Sequence, residues 1–239
     1  MPLIVFDLDG TLLDSRKSIL ASIRHAFRSI GHPDILFDEK RALQQDLATT
    51  LRETGRALNL DFPDATVLAF IREYRSHHTE TAAKHSRLYP GVREILARLR
   101  KNFLVALATT KHTEQAQTIV AAYGISDFFC LIQGTEPGIR YKPAPDILHT
   151  VLRKLGEDPC TAAYVGDSPH DITAARHAHL RQIACTYGYG ERNELERQNP
   201  DWMIHALSDF VWLEPLLLET LSPLRRLPLR ADFPSLLLH

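Results

Sequence analysis

Only three cysteines, Cys130, Cys160 and Cys185, occur in 239 residues. They are odd in number and widely spaced. A disulfide framework and a CxxC redox or zinc pair are thereby excluded, and reduced thiols of a cytoplasmic protein are expected. An excess of one charge is also missing: Lys plus Arg total 28 against 29 for Asp plus Glu. No basic field draws in nucleic acid, so no nucleic-acid partner is expected. No apolar stretch reaches membrane-spanning length, and the N-terminal apolar run is broken at Asp7 before it could act as a signal peptide. No membrane partner is expected either. The chain has no GxSxG elbow and no P-loop, which removes two common routes to hydrolysis and nucleotide binding. Internal repeats and low-complexity tracts are absent.

What is present begins at the N-terminus. The apolar run Leu3 to Phe6 has the length and β-branched content of a buried strand, and it leads into DLDGT, Asp7 to Thr11. Side chains at i and i+2 of an extended segment point the same way, so Asp7 and Asp9 are expected to lean into one crevice at a strand's carboxyl end. Two carboxylates that close repel, and an all-oxygen site of this kind suits Mg²⁺. Three further stations follow in order. FLVALATTK (Phe103 to Lys111) reads as a buried strand ending in Thr109 and Thr110, whose hydroxyls can hydrogen-bond a phosphoryl oxygen. YKPAPD carries Lys142 ahead of a helix, with Pro143 and Pro145 stiffening the loop. AAYVGDSPHD is a third strand running into Gly166, Asp167 and Asp171, candidate metal ligands.

From Val92 onward strands and helices alternate, which predicts an α/β fold with a three-layer, Rossmann-like core and a mainly parallel sheet. Nothing between Asp14 and Ser86 reads as a strand. Apolar stripes there (Ile19, Ile23, Phe27, Ile30; Leu43, Leu47, Leu51; Val67, Leu68, Ile71, Tyr74) predict helices only. Asp14 and Ser15 are expected to cap the first of them or, alternatively, to serve as a hinge between this helical segment and the rest of the chain.

The four motifs in this order resemble the haloacid dehalogenase-like hydrolase superfamily, in its phosphoglycolate phosphatase-like branch. The resemblance runs from Met1 to about Leu213 and includes LYPGV (Leu88 to Val92), which in such proteins returns the chain from cap to core. It implies a catalytic core of residues 1–14 and 87–215, an inserted all-helical cap of residues 15–86 and a C-terminal extension of residues 216–239. It also implies a Mg²⁺-dependent phosphatase of a small phosphorylated metabolite, phosphoglycolate-like or a sugar phosphate. Asp7 is then the nucleophile that forms an aspartyl phosphate, Asp9 the general acid and base, Thr109 the phosphoryl-oxygen donor and Lys142 the balancing cation. Metal oxygens would come from Asp7, the backbone carbonyl of Asp9, Asp167 and Asp171. Thr110 stands where the family often has Asn. Gln45 and Arg52, in and beside ALQQDLATT, sit where related caps place their substrate-binding loop. A monomer or homodimer is expected.

Two other functions share these motifs: a phosphosugar mutase, and a non-catalytic regulator on the same fold. Thr11 favours the phosphatase, because similar mutases often carry an aliphatic residue there. The complete set Asp7, Asp9, Thr109, Lys142 and Asp167 disfavours the regulator, since binding needs no nucleophile. Among twelve histidines, His177 and His179 are spaced i, i+2 on an expected helix and cannot converge on one ion. His170, inside GDSPHD, is a candidate to face the crevice.

Overall fold

The computed structural model describes residues 1–222. In chain order its regular elements are β1 (Leu3–Phe6), β2 (Leu13–Asp14), α1 (Arg16–Ser29), α2 (Glu39–Ala42), α3 (Leu47–Ala57), α4 (Asp64–His85) and β3 (Arg87–Leu88). Then follow α5 (Val92–Leu99), β4 (Leu104–His112), α6 (Thr113–Ala122), β5 (Leu131–Thr135), α7 (Asp146–Leu155) and β6 (Ala162–Gly166). The last are α8 (Pro169–His177), β7 (Arg181–Cys185), α9 (Arg192–Arg197), β8 (Trp202–Ile204) and α10 (Phe210–Thr220).

Six strands form one sheet in the order β5-β4-β1-β6-β7-β8, and every pairing within it is parallel. β1 is central, so its short run LIVF is covered on both faces and all four residues are buried. The side chains alternate as a pleated strand requires. Ile4 and Phe6 join a core built with α5, α6 and α10, whereas Leu3 and Val5 join one built with α7 and α8. Burying side chains of this size contributes about 1.5–3 kcal/mol each. The DLDGT segment thus follows directly from a strand buried on both faces.

Between β2 and β3, a two-stranded antiparallel ribbon, the chain is helical. α1 to α4 enclose their own apolar core of Ile19, Ile23, Phe27, Leu51, Phe62, Val67, Phe70 and Tyr74, which Tyr189 enters from the larger unit. The buried stripe of α4 is therefore Val67, Phe70 and Tyr74. Leu68, expected on that stripe, is 68% exposed because it lies a quarter-turn off the face that packs on α1. At the other end, α10 continues past residue 215 to Thr220, and Leu217 and Leu221 are fully buried in the core. The first residues of the expected C-terminal extension, through Leu221, thus pack back on the core. Residues 223–239 of the expected C-terminal extension lie outside the described residues. Among the described residues no helix is long and apolar enough to cross a membrane.

Candidate active site

The carboxyl ends of β1, β4 and β6 converge on a cavity of about 440 Å³, walled on one side by the sheet motifs and on the other by the helical insert. β1 ends at Phe6, and the amide of Asp7 still pairs with the carbonyl of Val165 at 2.9 Å. The chain then turns sharply: the amides of Leu12 and Leu13 both reach the carbonyl of Leu8 at 2.9 Å, and Gly10 adopts φ +81°. Only glycine fits there. A Cβ at residue 10 would lie 2.2 Å from an Asp167 carboxylate oxygen.

This turn overrides the extended geometry expected for DLDGT. Asp7 and Asp9 nevertheless both line one cavity, as expected, and their carboxylates take different partners. The Asp7 carboxylate meets the Lys142 ammonium at 2.9 Å. That ammonium also donates to Asp171 at 2.5 Å and to the Tyr164 hydroxyl at 3.0 Å, which uses all three of its protons. Asp9 instead takes Lys111, at 2.9 Å, and the hydroxyl of Ser15. Ser15 stands at the N-cap of α1 but its side chain makes no capping hydrogen bond: its hydroxyl serves Asp9 and contacts Tyr189, while Asp14 pairs with Arg87. The helix-cap expectation is replaced by a link from the first turn of the insert to the catalytic loop.

One carboxylate oxygen from each of Asp7, Asp167 and Asp171 lies within 4.8 Å of the others, all three residues being buried. Burial pushes Asp7 up to about 7, with the Asp171 charge adding to it and Lys142 opposing it. Burial and the charges of Asp171 and Asp7 likewise hold Asp167 well above the usual carboxylate range. For Asp171 burial is outweighed by Lys142 and by hydrogen bonds from Ser168, and it stays below that range. One ammonium does not balance three carboxylates in a desolvated cluster, so the set fits a hard divalent cation with oxygen ligands. Mg²⁺ would be held by Asp7, Asp167 and Asp171; the Asp9 carboxylate lies outside this group.

Asp167 is also gripped from a segment that sequence reasoning passed over. In TYGYG, Thr186 to Gly190, the amide of Tyr189 donates to Asp167 at 2.6 Å, and a Cβ on Gly188 would sit 2.3 Å from that of Asp167. Tyr189 continues to Ser15, whose amide donates to its hydroxyl at 2.7 Å. Asp171 is fixed within α8 by the Ser168 amide and hydroxyl, at 2.9 and 2.6 Å, in a reciprocal cap. α8 therefore begins at Pro169.

Along β4 the alternation separates the two threonines. Thr109 and Lys111 are buried and Thr110 is exposed; Thr110 and Lys111 line the cavity, and Thr109 lies behind that lining. The Thr109 hydroxyl receives the amide of Lys111 at 3.4 Å and donates to no described acceptor. Lys111 was missed, although its place two residues after Thr109 on a strand assigns it to the same side. Its charge is favoured by Asp9, Tyr74 and Asp7 against burial, and its basicity is raised. Gln45 lines the cavity and donates to Thr50 at 3.3 Å. Arg52, in contrast, lies on the outer face of the insert, paired with Asp64 at 2.7 Å and outside the cavity wall. The helix face carrying Arg52 turns away because Leu51, beside it, is the residue packed inward. His170 does line the cavity, with its Nδ1 2.9 Å from the carbonyl of Gln44.

One family model, haloacid dehalogenase-like hydrolase, matches residues 4–185 of this chain. The chain belongs to that family, on its phosphoglycolate phosphatase-like branch. The protein named Probable phosphatase IndB of Dickeya dadantii is 31% identical over 225 residues, 92% of this chain and 96% of its own length. A phosphoglycolate phosphatase of Pasteurella multocida is 32% identical over 211 residues, 84% of this chain and 92% of its own. Among solved structures, a predicted phosphoglycolate phosphatase from Haemophilus somnus superposes with a TM-score of 0.77 at 27% identity, covering 90% of this chain and 98% of its own. A haloacid dehalogenase-like protein from Streptococcus pneumoniae reaches 0.79 at 25% identity, with the same coverage.

Proposed function

We propose that this hydrolase is a Mg²⁺-dependent phosphatase that releases phosphate from a small phosphorylated metabolite through an aspartyl phosphate on Asp7. The observation that carries the reading is the buried Asp7 carboxylate held against Lys142 in a cavity between the sheet ends and the helical insert. A volume of about 440 Å³ suits a metabolite rather than a macromolecule.

An Asp7 oxygen attacks phosphorus and the bond to the leaving alcohol breaks. Asp9 gives a proton to the departing oxygen and, then ionised, takes one from the water that attacks the acyl phosphate. Lys142 holds the nucleophile in line and balances charge on the transferred group. Thr109 has a proton to offer a phosphoryl oxygen. Mg²⁺, when bound by the aspartate cluster, neutralises charge on the nonbridging oxygens. The helices of residues 15–86 act as a cap that excludes bulk water and contacts the leaving group, with Gln45 in its polar lining and Thr110 facing it from the core. Lys111 and Ser15 hold Asp9 ready at the junction of cap and core.

A panel of phosphate esters with Mg²⁺, scored for free phosphate, tests the proposal. Release that disappears in Asp7→Asn supports it. Isomerised product without release would indicate a mutase, and silence on every ester a regulator.

A further inference from the structure

We propose that Arg75 is a specificity residue that pairs with a second anionic group, a carboxylate or another phosphate, on the leaving alcohol of the substrate. The inference rests on the phosphatase reading and names what that site selects.

Arg75 lies on α4, one residue past the buried Tyr74, and its side chain is half-buried in the insert wall of the catalytic cavity. Each lysine lining the cavity is committed. Lys142 serves Asp7 and Asp171, and Lys111 serves Asp9. The neighbouring arginines of the insert are committed outside it: Arg52 to Asp64, and Arg72 to Glu73. Arg75 makes no ion pair with any described residue. The two carboxylates on its own side of the cavity are occupied, since Asp46 accepts the amide and hydroxyl of Thr49 at the start of α3, and Glu53 faces Arg41 at 3.7 Å.

A guanidinium cannot shed its charge, and partial burial removes water from it without supplying an anion in return. Such an arrangement becomes favourable when an anion enters the cavity. The transferred phosphoryl is not that anion, because Lys142 and the aspartate-bound cation already balance it at the sheet wall. Arg75 projects from the insert wall, where the leaving group must lie. Its planar fork matches a carboxylate or phosphate through two parallel hydrogen bonds. Arg52, by contrast, has its guanidinium paired with Asp64 outside the cavity wall.

The test compares kcat/KM with Mg²⁺ on two matched pairs, 2-phosphoglycolate against 2-hydroxyethyl phosphate and fructose 1,6-bisphosphate against fructose 1-phosphate, with acetyl phosphate as the check on phosphoryl transfer. The wild type is expected to prefer the doubly anionic member of one pair, which identifies the anion as carboxylate or phosphate. Arg75→Gln should lower that preference about 10- to 100-fold, the range for a charge-assisted hydrogen bond, and Arg75→Lys should keep part of it. Arg75→Met, which keeps the aliphatic stem, serves if the glutamine variant does not fold. A preference unchanged by loss of the guanidinium overturns the proposal. So does a wild type that hydrolyses acetyl phosphate and prefers neither anionic ester, and in that case the phosphatase reading stands. If the wild type releases phosphate from none of the five compounds, the phosphatase reading fails and the assignment of Arg75 falls with it.

Discussion

Replacing Asp7 with Asn should abolish turnover and, in the absence of metal, make the protein more stable. The side chain is 6% exposed, and its carboxyl is pushed from 3.8 up to about 7, chiefly by burial. A carboxylate whose folded value is raised opposes folding wherever the unfolded chain is ionised, so its cost grows as pH rises from 3.8 to about 7. At about 1.4 kcal/mol per unit, the cost is about 4 kcal/mol at about pH 8, about 2 kcal/mol at about pH 5, and fades below about pH 4. Asn has nearly the same shape and carries no charge, and Lys142 keeps Asp171 and the Tyr164 hydroxyl. Urea unfolding in EDTA at the two higher pH values measures the difference directly. In thermal unfolding the gap at about pH 8 corresponds to roughly 8–16 °C for a chain of this size. Added Mg²⁺ should narrow it, because the ion stabilises the wild type in proportion to its occupancy. An Asp7→Asn protein no more stable than wild type at about pH 8, or a gap that does not shrink on acidification, would refute the argument that this cluster is a desolvated, charge-excess site.

EDTA should silence phosphate release and Mg²⁺ restore it, with Asp167→Asn raising the Mg²⁺ needed for half-activity about tenfold or more; full activity in chelator would remove the metal from the mechanism. Lys111→Met strips Asp9 of its buried partner and should destabilise by about 3 kcal/mol in urea. It should also cost alkyl phosphates about tenfold more rate than acetyl phosphate, whose leaving group needs little protonation, and equal losses would separate Lys111 from the acid role. Gly188→Ala places a Cβ 2.3 Å from that of Asp167. Overpacking of about 1–3 kcal/mol and a raised Mg²⁺ requirement should appear together, and a variant normal in both would show that this segment does not fix Asp167.

How much of the site was legible depended on whether a residue's role followed from its own strand. Asp7, Asp167 and Asp171 were legible because an apolar run ending in a carboxylate is visible in one dimension, and the parallel sheet brings such ends together. Lys142 was legible from its place in YKPAPD. Asp9 was legible as a cavity residue, but its direction was not: the turn at Gly10 sends it to Lys111 and Ser15. Gly188 and Tyr189 were not legible, because their partner Asp167 is a contact of packing and not of spacing.

By itself, the residue pattern determined the α/β order of elements, the helical insert and the identity of the acidic and basic groups at the strand ends. These follow from hydrophobic periodicity and turn chemistry, which are local. Tertiary structure alone decided that Arg75 lines the cavity while Arg52 does not, and that Asp9 rests on Lys111. Periodicity specifies the angle between two side chains about a helix axis. The rotation of that axis against its neighbours comes from the packing of α4 on α1 and α3, through Phe70 against Phe27 and Tyr74 against the same core.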